Sequence, residues 1–133
     1  MTETTLVLLK PDAVERNLTG SILVEYERNG LKIVDMKLMK ASTTLAEQHY
    51  AEHTGKPFFN HLVAYLTRSP LVALILEGED AVSRVRALNG TTDPEKSPDN
   101  TIRALYGLSL SENTVHASDS NESSERERAI WFG

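Results

Sequence analysis

The sequence contains no cysteine, which removes disulfides, thiolate metal sites and a cysteine nucleophile together and argues against oxidation chemistry. It has no apolar run long enough to cross a bilayer, and its first residues, "MTETT", carry neither the basic start nor the apolar stretch of a secretory signal. No membrane association is expected, and the expected address is cytoplasmic. Positive charge is not in surplus: the formal net charge of -5 argues against the broad basic surface on which nucleic-acid binding rests. A Gly-rich phosphate loop of the Walker or dinucleotide type is also missing, so any bound phosphate must be held mainly by side chains.

What is present is the material of one ordinary domain. At 133 residues, with 40% hydrophobic and 25% charged side chains, the chain can close a single core without metal or disulfide staples. No internal repeat or linker interrupts it. "TLVLLK" (5–10) and "LVALILEG" (71–78) are nearly unbroken apolar runs, as expected of strands buried on both sides, and Pro11 ends the first. "LKIVDMKLMKA" alternates from Val34 to Leu38 and predicts a half-buried strand. In "GSILVEYERNG" Ile22, Leu23 and Tyr26 share a helical face, as do Ala81, Val85 and Leu88 in "DAVSRVRALNG", and both segments end on an Asn-Gly stop. "TTLAEQHYAEH" and "FFNHLVAYL" predict two helices in tandem around the turn "TGKP". Residues 91–102 lose periodicity and predict an ordered surface loop or a short lid. A short strand at Thr114 and Val115 follows, then a last helix capped by Asp119 with Glu122 three residues on. That order fits a single α+β domain, a ferredoxin-like antiparallel sheet with helices packed around one face of it, while a mixed α/β sheet stays open on pattern alone.

Near the carboxyl end, "NTVHASDSNESSERE" sets His116 before a run of small polar and acidic residues. A neutral imidazole is a good nucleophile when one ring nitrogen attacks and an acceptor pins the other. Glu127 stands in the following helix to supply that acceptor, with Ser118 able to bridge; alternatively, Glu122, Glu125 and Glu127 simply solvate the helix and complement its dipole. His49 and His53 have the i, i+4 spacing that can bind zinc, but lack a third ligand nearby and the glutamate of a metalloprotease helix. Lys10 at a strand end is a point charge for phosphate if a cleft surrounds it. Arg86 and Arg103 flank the 91–102 loop, with Thr92 at its start, and suit a phosphate clamp. Tyr50 and Phe58 bracket "AEHTGKP"; aromatics there usually pack in a core, but an exposed Phe58 would offer a face for stacking a base.

Taken in order, "KPDAVERNLTG", "HYAEHTGKPFF", "ALILEGEDAV", "GTTDPEKS" and "NTVHASDSNESSERE" resemble nucleoside diphosphate kinase over essentially the whole chain. The resemblance implies one domain, 1–133, in which a histidine takes a phosphoryl group from a nucleoside triphosphate and passes it to a diphosphate. His116 matches the phosphorylated position, and Glu127 the ring-orienting carboxylate with Ser118 beside it. Lys10, Tyr50, Arg86, Thr92 and Arg103 match phosphate-side residues, Lys10 and Asn113 the ribose-hydroxyl contacts, and Phe58 with Leu110 the base sandwich, Leu62 lying alongside. Mg2+ is implied as cofactor, bound through the nucleotide phosphates with no protein cage of its own. A homo-oligomer, tetramer or hexamer, is also implied. Against the family pattern, Ala117 replaces the usual Gly after the histidine, Ala104, Leu105 and Tyr106 replace Gly, Asp and Phe, and Asn17, Ser69 and Asn100 stand where Gly is common. Asparagine tolerates left-handed backbone, so Asn17 and Asn100 can keep their turns. The alternative that these departures motivate is a catalytically weak nucleotide-binding or scaffold protein of the same fold.

Overall fold

A computed structural model describes residues 2–109 and 112–133. Four strands, β1 (Thr2–Leu9), β2 (Lys32–Met39), β3 (Leu71–Glu79) and β4 (Val115–Ala117), form one sheet in the order β2-β3-β1-β4. All three pairings are antiparallel, with Leu9 opposite Val72, Met39 opposite Leu71 and Leu8 opposite His116. This is the ferredoxin-like arrangement, and the mixed sheet is set aside. Among the described residues the helices are α1 (Pro11–Glu15), α2 (Thr19–Arg28), α3 (Thr43–His49), α4 (Phe59–Thr67), α5 (Ala81–Asn89), α6 (Ile102–Tyr106) and α7 (Asn121–Phe132). None of these is long and apolar enough to cross a membrane.

Helices cover both faces of the sheet rather than one. Because successive strand side chains point to opposite faces, Val7, Leu9, Val72, Leu74 and Leu76 pack with Ile22, Tyr26 and Val85 of α2 and α5. Leu6, Leu8, Leu71 and Ala73 pack instead with Ala46, Leu66 and Trp131 of α3, α4 and α7. The unbroken apolar runs of β1 and β3 are what two covered faces require, since neither set of alternate residues reaches water.

β2 departs from its expected burial. It is an edge strand, and Val34, Met36 and Leu38 are exposed, Leu38 by 66%. Met36 and Leu38 stand opposite Leu74 and Val72, so they share the first face, but the helices there leave them uncovered. The short helices α1 and α6 occupy segments to which the sequence pattern assigns no element, α6 beginning where the 91–102 loop ends. Pro11 suits the first turn of α1, and Thr101 caps α6 by accepting from the Ala104 N–H. The last helix is capped by Ser120, whose hydroxyl accepts from the Ser123 N–H at 3.0 Å, rather than by Asp119. Asn17 and Asn100 do take left-handed backbone, with φ of 60° and 70°.

The 91–102 segment is ordered by its own polar contacts. Ser97 bonds the carbonyls of Thr91 and Asp93, and a 3₁₀ turn spans Pro94–Lys96. Its hinge with α5 is Gly90, at φ 92°, where an added Cβ would come within 2.7 Å of the Thr101 hydroxyl. Only glycine combines that backbone with that closeness.

Candidate active site

Strand periodicity decides which side chains meet. Leu6, Leu8 and then Lys10 point to the second face of the sheet, and His116, paired with Leu8, points there too. The Lys10 N–H extends the ladder by donating to the Thr114 carbonyl at 2.8 Å, which brings the ends of β1 and β4 together. α7 lies across this face and buries Ser124, Glu127 and Trp131, the three- and four-residue spacings of one helical stripe. Its middle member reaches His116.

The result is a cleft of about 590 Å³ lined by Lys10, Tyr50, Phe58, Leu62, Arg86, Thr92, Arg103, Asn113, His116 and Glu127. Ser118 is buried behind it. Every expected site residue that the structure describes is therefore in or against one cavity; Leu110 lies outside the described residues. Glu52, His53, His61, Asp119 and Ser123 line the same cleft without having been singled out for it.

Glu127 Oε1 lies 2.8 Å from His116 Nε2 and accepts the Ser118 hydroxyl at 2.8 Å. Burial pushes the Glu127 carboxyl upward, but the His116 hydrogen bond and charge, the Ser118 hydroxyl and the Arg126 charge outweigh it and hold the group below the usual carboxylate range. An ionised carboxylate only accepts, so the proton between the two belongs to Nε2, and in the neutral imidazole His116 Nδ1 keeps its lone pair. The helix-solvation reading of Glu127 gives way, because its side chain is only 7% exposed.

Cations converge on the other side. Lys10 is buried and donates to Asn113 Oδ1 at 3.0 Å. Burial first, then the neighbouring Arg103 charge, lowers its ammonium to about 8, with Asp12 opposing. Arg103 donates to the carbonyls of Gly90 and Val115, each at 2.8 Å, tying the loop to β4. Burial lowers its guanidinium to about 10. Among the described residues, the buried Arg103 Nε and Tyr50 hydroxyl have no hydrogen-bond partner. Buried polar atoms are normally paired, and both these residues line the cleft.

His49 and His53 do not form the zinc pair that their spacing allows. His49 is buried against His116 and Trp131, whereas the ring of His53 stands edge-on to Phe58 at 5.3 Å. His49 is the residue sequence reading undervalued; its place on the buried stripe of α3 beside Ala46 is the signal that it faces inward.

A pinned imidazole in a cleft of cations, carried by a ferredoxin-like sheet, suits phosphoryl transfer. The sequence pattern of the nucleoside diphosphate kinase family matches residues 3–133. A nucleoside diphosphate kinase of Clostridium perfringens is 59% identical over 130 residues, covering 98% of this chain and 91% of that protein. The nucleoside diphosphate kinase of Aquifex aeolicus superposes with a TM-score of 0.96 at 40% identity, over 100% of this chain and 96% of that one. A halophilic nucleoside diphosphate kinase from Halobacterium salinarum, solved in complex with CDP, also gives 0.96 at 44% identity, over 99% and 88%. The chain belongs to the nucleoside diphosphate kinase family.

Proposed function

We propose that residues 1–133 act as a single nucleoside diphosphate kinase domain whose activity runs through phospho-His116. In the first half-reaction the Nδ1 lone pair attacks the terminal phosphorus of a nucleoside triphosphate. The N–P bond forms as the bond to the bridging oxygen breaks, and the diphosphate leaves. A second diphosphate then enters the same cleft, and its terminal oxygen takes the phosphoryl group back from nitrogen. The Nε2 proton stays on the ring throughout, held by Glu127, which offsets the positive charge that the attacking imidazole acquires. The observation that carries this reading is the 2.8 Å contact that engages Nε2 and leaves Nδ1 for the cleft.

Lys10, Arg86 and Arg103 supply fixed positive charge to the phosphates, the main requirement of phosphoryl transfer. Tyr50, Thr92 and Asn113 offer further hydrogen bonds, and the CDP bound by the Halobacterium relative supports a nucleotide as ligand. Phe58, 46% exposed at the mouth, offers a stacking face that any base can use. Mg2+ would be held by the nucleotide phosphates, with water completing its shell, and would neutralise their charge. A protein cage for it does not fit: the one group of three possible ligands among the described residues, His49, His116 and Glu127, brings two nitrogens, which suit zinc better than magnesium. The scaffold alternative is not favoured, because Leu105, the sharpest departure from the family, is exposed and does not line the cleft. We place the enzyme in the cytoplasm, where nucleoside triphosphate donors are concentrated.

Incubation with γ-labelled triphosphate tests the reading, and a labelled protein band should appear within one turnover. Glu127→Gln should slow that labelling by about 10–100-fold, the scale for losing a supporting group. An unchanged single-turnover rate would return Glu127 to the status of a helix charge.

Nucleotide affinity should also fall as pH rises above about 8. The free Lys10 ammonium is lowered to about 8; bound phosphate favours its charged form, so binding takes up a proton between that value and the higher value in the complex. Calorimetric titrations from pH 7 to 9.5 read this directly, and a flat profile would remove Lys10 from the phosphate site.

A homo-oligomer, tetramer or hexamer, is supported by the β2 edge, which leaves Val34, Met36 and Leu38 exposed on a strand with a neighbour on one side only. Leu38→Glu should shift the particle to a smaller species in sedimentation velocity. If the mass distribution is unchanged, this edge is not the interface.

A further inference from the structure

The roles proposed above leave His49, His53 and His61 unused, and the first of them lies against the nucleophile. His49, at the end of α3, is 4% exposed. Its ring stands edge-on to that of His116, with centroids 4.5 Å apart and planes at 83°. On its other side Trp131 Nε1 lies 3.2 Å from His49 Nδ1. An indole N–H can only donate, so Nδ1 must be the acceptor and the ring proton must sit on Nε2. Burial first, then the charges of His116, Lys10, Arg126 and His53, hold this imidazole well below the usual histidine range. Both its charge and its tautomer are therefore set by what surrounds it.

A metal reading does not survive this chemistry. The ligand atoms of His49, His116 and Glu127 come within 4.8 Å of one another, but the His49 Nδ1 lone pair is taken by the indole and its Nε2 carries the proton. No lone pair remains for an ion.

Geometry leaves His116 with an unmet need. A single hydrogen bond to Glu127 holds one ring atom and still permits the ring to swing about its Cβ–Cγ bond within the angular tolerance of that bond. Nδ1 must nevertheless meet the terminal phosphorus within narrow limits of distance and angle. A flat ring packed at right angles removes that rotation. We propose that His49 is a positioning residue for phosphoryl transfer, a tautomerically fixed imidazole, clamped by Trp131, that holds the plane of the His116 ring so that Nδ1 faces the cleft. The inference rests on the reading of His116 as the phosphorylated residue.

Two variants test it in the 133-residue chain. Trp131→Phe keeps an aromatic ring but removes the indole donor; His49→Gln can still accept from Trp131 through its amide oxygen but has no ring. Each should lower the phosphorylation rate at saturating triphosphate by about 10-fold, the effect expected of lost outer support, with the half-saturating concentration unchanged. Nitrogen-15 NMR of the wild type should show His49 only as the Nε2–H tautomer, and Trp131→Phe should admit the other. Wild-type rates in folded His49→Gln would overturn the proposal, as would an Nδ1–H tautomer in the wild type or a loss confined to half-saturation. Where Trp131→Phe does not fold, His49→Gln decides alone, because it satisfies the indole. Failure of the phosphohistidine reading looks different: the wild type itself would form no acid-labile phosphoenzyme, whatever the tautomer of His49.

Discussion

His116→Ala should accept no label from a γ-labelled triphosphate and should lose at least about 10⁴-fold in steady-state transfer, the scale for deleting a nucleophile. The size of the loss follows from having one cleft for two nucleotides. Donor and acceptor cannot occupy it together, so without a side chain to store the phosphoryl group there is no direct route between them. The wild-type label should show the chemistry of an N–P bond, lost in acid and kept in base, opposite to a serine ester. Ser118 is a poor rival because it is fully buried with its hydroxyl given to Glu127; Ser123 lines the cleft and is the hydroxyl to suspect. Label that survives acid, or persists in His116→Ala, would transfer the role to such a serine.

How far the sequence disclosed all this depends on whether a feature is local. β1 and β3 are legible as doubly buried strands because their apolar runs do not alternate, whereas element order alone suggests helices on one face and does not reveal the second layer. β2 was legible as a strand but not as an exposed edge, because Val34, Met36 and Leu38 alternate in the same way whether or not a helix covers them. That His116, Glu127, Lys10, Arg86, Thr92 and Arg103 share one cleft is legible only through ordered motifs. The clamp of Trp131 on His49 was not, since it joins side chains 82 positions apart and no spacing rule reaches that far. Arg103 shows a third case. Its place in the cleft was expected, but its bonds to Gly90 and Val115 make it a tie between loop and strand as well as a cation.

The largest expected effect on stability lies beneath the cleft, at Asp12. This carboxylate, 1% exposed, accepts from the hydroxyls of Tyr65 and Thr114, the latter at 2.7 Å, and pairs with Arg16 at 3.0 Å. It thereby joins α1 and α4 to the segment entering β4. Thr114 has φ 76°, a left-handed conformation that costs a β-branched residue about 1–3 kcal/mol and persists only where the surroundings over-determine it. Here they do: its carbonyl accepts from the Lys10 N–H, and its hydroxyl is shared among Asp12, Arg16 and the Tyr106 carbonyl. That backbone sits between Asn113 and His116, so it sets the direction of two cleft side chains. Asp12→Ala leaves two hydroxyls without their charged acceptor, for a loss of about 3–5 kcal/mol at the usual worth of such bonds. In a domain of this size the melting temperature should fall by roughly 10–20 °C. Thr114→Gly separates the contributions, because glycine adopts the same φ without strain while losing the hydroxyl. Its cost should be well under half that of Asp12→Ala in the same denaturation experiment. Equal costs would mean that the Thr114 hydroxyl, not the wider Asp12 network, supplies the stability; an Asp12→Ala protein melting within a few degrees of wild type would mean that the strained turn is held by the Lys10 ladder bond alone.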